Sequence, residues 1–113
     1  MFFFFNNALF ADQLLCAKNI ITASKIKIFA INASKSKSLS ECRYYVLNSK
    51  RLFSYSFNKK NLCHCIVEED FEIKSIIDNA EKSEKLKVCK YYANQFLANL
   101  SSIVNSITIC KNK

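Results

Sequence analysis

Residues 43–67, RYYVLNSKRLFSYSFNKKNLCHCIV, decide how the chain is read. Three runs in it, RYYVL (43–47), LFSYSF (52–57) and LCHCIV (62–67), are rich in aromatic and β-branched residues, which fit a pleated, half-buried surface. The four-residue links NSKR (48–51) and NKKN (58–61) suit hairpin loops, with Asn where a left-handed backbone is needed. In the second run Phe53, Tyr55 and Phe57 alternate with Ser54 and Ser56, the pattern of an antiparallel strand wet on one face. This predicts a β-meander.

On the N-terminal side, KIKIFAI (25–31) alternates in the same way and is expected to add a strand. Before it, Leu9, Phe10, Leu14, Ala17, Ile20, Ile21 and Ser24 recur at spacings of three and four, which predicts a helix over 7–24. The Ser/Lys-rich NASKSKSLSE (32–41) has little to bury and is expected to be an exposed loop.

On the C-terminal side the period changes. Phe71, Ile73, Ile76, Ile77 and Ala80 have helical spacing, and Glu68, Glu69, Asp70 and Glu72 stand where the positive end of a helix dipole attracts them. NAEKSEK (79–85) reads as a bend or as an exposed turn of a continuous helix. Beyond it YYANQFLANLSSIVNSITIC (91–110) carries no charge, yet it is one-sided. With Leu86 as heptad position a, Ala93, Leu100 and Ile107 share that position, and Cys89, Phe96, Ile103 and Cys110 share position d. Eight of those twenty residues are polar and gather on the other side, so a membrane span is disfavoured. Leu97 and Val104 widen the stripe beyond a two-stranded seam, which suits packing on a sheet that presents Phe53, Tyr55 and Phe57. The expected fold is therefore α+β, an N-terminal helix, an antiparallel β-meander of three or four strands and C-terminal amphipathic helices packed on it, with a mostly helical chain as the alternative.

At 113 residues the chain fits one small domain. It has no Gly and no Pro, and Lys far exceeds Arg, a bias toward A/T-rich codons that a reading frame under little selection would also carry. Any turn that needs positive φ must then rest on Asn, Ser or Lys. The net charge of +8 favours encounter with polyanions.

Six cysteines are even in number. The apolar N-terminus lacks the basic region and cleavage site of an export signal, so free buried thiols and a cytoplasmic rather than a secreted setting are expected. Cys63, His64 and Cys65 are the one place where metal ligands crowd together, but on a strand His64 would face away from both cysteines. Without Gly, phosphate-cradling loops are excluded. No motif points to an enzyme, and no cofactor is implied.

These observations favour a non-enzymatic structural or interaction module, with a second copy of the chain or an acidic protein as its partner. The alternative is a binder of single-stranded nucleic acid or of an anionic membrane surface. It would act through the basic and aromatic hairpin 43–60, with Arg43, Tyr44, Tyr45, Lys50, Arg51, Lys59 and Lys60.

Overall fold

The computed structural model describes residues 2–57, 63–64 and 70–111; side chains at 2–11, 70, 71 and 111 are outside that description. Four helices follow one another, α1 (Phe2–Ser34), α2 (Leu39–Ser56), α3 (Asp70–Glu81) and α4 (Leu86–Lys111). There is no strand among the described residues. Helix α1 lies against α2 and α4, and α3 lies against α4 and α2. This is an antiparallel four-helix bundle, a rod of 57 × 20 × 20 Å.

The β-meander and the strand at 25–31 are thus corrected, and the mostly helical alternative holds. The reason lies in which period the burial obeys. Along α2 the buried residues are Cys42, Val46, Ser49 and Phe53, followed by Phe57 at the cap, at spacings of three and four. Phe53 and Phe57 are one helical turn apart and stack at 4.9 Å, whereas Tyr55, the middle member of the supposed strand face, is 79% exposed. Likewise Ile26 of KIKIFAI is buried and Ile28, two residues on, is exposed. Local β propensity is weak, and one continuous apolar stripe per helix outweighs it. Of the third expected strand, Cys63 and His64 lie outside helices, and its other residues fall outside the described ones.

The C-terminal stretch does bury its one-sided stripe, through Cys89, Ala93, Phe96, Leu100 and Ile107. What it covers is a helix rather than a sheet. The rings of Phe53 and Phe96 meet edge to face, centroids 5.9 Å apart at 77°.

Free thiols are the second expectation to fall. Cys16 is bonded to Cys63 across a Cα separation of 5.0 Å, Cys42 to Cys89 across 6.4 Å, and Cys110 is also half of a disulfide. No described cysteine is free.

Both bridges span 47 residues, and that number is the period of an internal repeat. Sliding residues 32–45 onto 79–92 matches Asn32 with Asn79, Ala33 with Ala80, Lys35 with Lys82, Ser36 with Ser83, Leu39 with Leu86, Cys42 with Cys89, Tyr44 with Tyr91 and Tyr45 with Tyr92. The copies also agree in structure. Ser36 and Ser83 are both buried and donate their hydroxyls to the carbonyls of Asn32 and Asn79, at 2.9 and 2.8 Å. Tyr44 meets Tyr45 edge to face at 5.4 Å, and Tyr91 meets Tyr92 at 5.2 Å. The bundle is a helical hairpin used twice, and Cys42–Cys89 joins one residue to its own counterpart. A translational stack would leave one outer helix of the two hairpins without a cross-hairpin neighbour. Here α1 has α4 and α3 has α2, so the hairpins are related by a pseudo-two-fold axis.

The missing glycines are met within the same turns. Among the described residues none has positive φ. Each helix before a turn instead ends in a tightened last turn, Ser36 N–H to Ala33 C=O at 3.2 Å and Ser83 N–H to Ala80 C=O at 3.3 Å, with the serine hydroxyl satisfying a further carbonyl.

Candidate functional site

The chemistry-bearing side chains converge where the segment holding Cys63 and His64 crosses α1 and α4. Asn19, buried on α1, accepts the backbone N–H of Cys63 through Oδ1 at 3.1 Å. That bond and the Cys16–Cys63 bridge fix the segment to α1. They set His64 beside Asp12, one turn before Cys16, so that Asp12 accepts from the His64 backbone N–H at 3.3 Å and pairs through Oδ2 with the ring Nδ1. The other ring nitrogen, Nε2, lies 3.8 Å from the Cys110 sulfur on α4. The side chain of His64 is 70% exposed and that of Asp12 is 30% exposed.

Asp12 orients the imidazole, and the other side of the ring faces the sulfur of Cys110, itself held in a disulfide. Asp12, Cys16 and His64 bring ligand atoms within 4.8 Å of one another, but the Cys16 sulfur is bonded to Cys63 and offers no thiolate. Of the three metal candidates read from the sequence, Cys63 is spent in that bridge, His64 is held by Asp12, and Cys65 lies outside the described residues.

The basic and aromatic residues of 43–60 are spread round α2. Arg43, half-buried, donates to the Ser83 carbonyl in the second hairpin's turn. Lys50 bridges Asp78 at 2.8 Å and Glu81 at 2.7 Å on α3, and these carboxylates, Asp78 first, raise its pKa above the ordinary lysine value of 10.5. Tyr45 packs against the core, while Tyr44, Arg51 and Tyr55 share the exposed side of α2. Lys59 and Lys60 lie outside the described residues.

A second feature is the outer face of α1. Its inner face buries Cys16, Asn19, Ala23, Ile26, Ala30 and Ala33, yet Leu14, Ile21 and Ile28 stand 54%, 59% and 60% exposed on the opposite side, seven residues apart. Exposed Lys18, Lys25 and Lys27 flank this row. A separate groove of about 160 Å³ between α1 and α4 is lined by Ala23, Ser24 and Lys27 of α1 and by Leu100 and Val104 of α4. No helix is long and apolar enough to cross a membrane among the described residues.

No family model, curated protein or solved structure matches the chain. Sequence reasoning missed the outer face of α1 because it placed residues 25–31 on a strand, and missed the cluster at His64 because it never paired the cysteines; the 47-residue cysteine period was the signal that would have found that cluster.

Proposed function

We propose that this protein is a disulfide-stapled interaction module whose docking face is the outer side of α1, and that its partner is an amphipathic helix carrying acidic residues beside its apolar seam. The carrying observation is the row Leu14, Ile21 and Ile28. A helix apolar on two opposite sides has one side more than the bundle core uses. The spacing of seven, with Ala17 and Ser24 at the intervening seam positions, presents a narrow seam into which the side chains of one helix interdigitate. An anionic bilayer takes a wider apolar face. The flanking charge favours an acidic partner. Lys18, Lys25 and Lys27 would oppose one another in a second copy and complement glutamates in a foreign helix.

Bridged cysteines add a setting. Disulfides persist in oxidising compartments, so the proposed place of action is outside the reducing cytosol. The repeat supports selection of this chain: a frame under no selection has no reason to keep the same cysteine, serine and tyrosines at one spacing and in one geometry.

The test is titration with two synthetic helices that share a leucine every seventh residue, one flanked by glutamates and one by lysines. The glutamate helix is expected to bind, more weakly as salt rises, and Ile21→Gln with Ile28→Gln to weaken binding by about a hundredfold, since each buried branched side chain contributes at least about 1.5 kcal/mol. Equal binding of both helices, salt-resistant dimerisation of the protein alone, or binding to phosphatidylserine vesicles without the helix would each overturn the proposal.

A further inference from the structure

A different set of residues carries a second site. We propose that Asp12, Cys16, Cys63 and His64 form a redox-gated site for zinc, closed while Cys16 and Cys63 are bonded to each other and opened when an external thiol of the glutathione class reduces that bond. Three observations carry it. Asp12, Cys16 and His64 bring one ligand atom each within 4.8 Å of one another, with Asp12 Oδ2 4.0 Å from the Cys16 sulfur and paired with His64 Nδ1. The fourth donor, the Cys63 sulfur, is bonded to Cys16 itself, so one reduction supplies two thiols at the same place. The backbone that carries these donors is also held by bonds other than the bridge. Asn19 Oδ1 accepts the Cys63 N–H at 3.1 Å, and Asp12 Oδ1 accepts the His64 N–H at 3.3 Å, which leaves Oδ2 for the metal.

Two thiolates, an imidazole nitrogen and a carboxylate oxygen are the ligand types of tetrahedral zinc, whereas magnesium and calcium take oxygen. Zinc asks the two sulfurs to part to about 3.8 Å, the edge of a tetrahedron whose Zn–S bonds are about 2.3 Å. With the Cα atoms 5.0 Å apart and Cys63 outside the helices, side-chain rotation reaches that separation. The ion enters past His64 and Asp12, which are open to solvent, toward sulfurs that are buried. The chemistry balances. Two external thiols are oxidised to their disulfide as the Cys16–Cys63 bond is reduced, and their protons pass to the two cysteine sulfurs; zinc then releases both thiol protons to solvent. Cys42–Cys89 lies in a separate apolar cluster and keeps the hairpins joined while this site opens.

The test equilibrates the whole protein with reduced glutathione, removes the glutathione by gel filtration without oxygen, and titrates with zinc against a chelating dye and, separately, with cobalt(II). One zinc per chain is expected in the reduced protein and none in the bridged protein. Cobalt is expected to give the visible absorption of a tetrahedral site with thiolate ligands, which reads the donor set without any substitution. Cys16→Ser and Asp12→Ala are each expected to weaken zinc binding by about a hundredfold or more, the upper end of what losing an outer-shell partner costs. Cys110→Ser should leave the affinity unchanged, because its sulfur is not in the donor set. Circular dichroism reports whether each variant is folded. A Cys16–Cys63 bond that glutathione leaves intact, equal zinc binding before and after reduction, or a cobalt spectrum without thiolate ligation would overturn the proposal. So would unchanged affinity in folded Cys16→Ser, or a loss in folded Cys110→Ser as large as that expected for Cys16→Ser.

Discussion

Cys42 and Cys89 hold the same position in two successive hairpins and are bonded to each other, Cα to Cα 6.4 Å, at the start of α2 and α4. A residue can reach its own counterpart in this way only near the axis that relates the two copies. The bond therefore marks where the hairpins meet, and both of its ends are fully buried.

Removing this bridge should be costly. Closing a loop of 47 residues restricts the unfolded chain by about 4 kcal/mol in the chain-entropy description. The double substitution Cys42→Ser with Cys89→Ser, which leaves no odd thiol, is expected to lower unfolding free energy by about that amount in urea, with most helix signal retained.

Phe53 and Tyr55 separate the helical reading from the strand reading. On a strand they would share a face; on α2 Phe53 lies between Phe57 and Phe96, and Tyr55 is exposed. Phe53→Ala is expected to cost about 3–5 kcal/mol, as large core truncations do. Tyr55→Ala should stay within about 0.5 kcal/mol of wild type, and equal losses in the two denaturation curves would refute the packing described.

Among the positions where the two copies differ, one is the residue before α2 and α4. Ser38 caps α2 by accepting the Glu41 N–H at 3.2 Å, and both Ser38 and its counterpart Lys85 accept the first helical N–H four residues on through their carbonyls. A lysine side chain has no acceptor, and its charge opposes the positive end of the helix. Ser38→Ala is expected to destabilise by about 1 kcal/mol and Lys85→Ser to stabilise by a similar amount. Thermal melts of both variants read the two signs.

Lys50 gives a pH dependence whose sign follows from its raised pKa. The folded state, through Asp78 and then Glu81, holds the lysine proton more tightly than the unfolded chain does. This contribution is complete below 10.5 and is lost as pH rises through the higher folded value. Because all three side chains are about a third exposed or more, it is worth about 1 kcal/mol or less. Wild type should thus exceed Lys50→Gln in stability at pH 7 by that margin, and the two should converge as pH climbs well past 10.5.

The parts of the fold legible in the sequence were those with an unbroken helical stripe. The helices over 7–24, after residue 70 and through 86–110 could be read from apolar spacing alone, while the break between the last two was one of two readings; the same spacing disfavoured a spanning segment, and among the described residues no helix is long and apolar enough to cross a membrane. Residues 25–31 and 43–57 were misread because β-branched and aromatic residues stood there at spacings that also suit a helix. Phe53 and Phe57 are two strand steps apart and equally one helical turn apart, and only burial against Phe96 decides between them. The cluster at His64 was half visible. The sequence offered His64 between two cysteines, but its real neighbours, Asp12 and Cys110, come from 52 and 46 residues away.

The most direct measurement is the disulfide map of the unreduced protein, obtained by proteolysis and mass spectrometry of the linked peptides. The duplicated hairpin predicts that Cys42 is linked to Cys89 and Cys16 to Cys63. Free thiol at Cys42 and Cys89, or a link from either to any other cysteine, would contradict it.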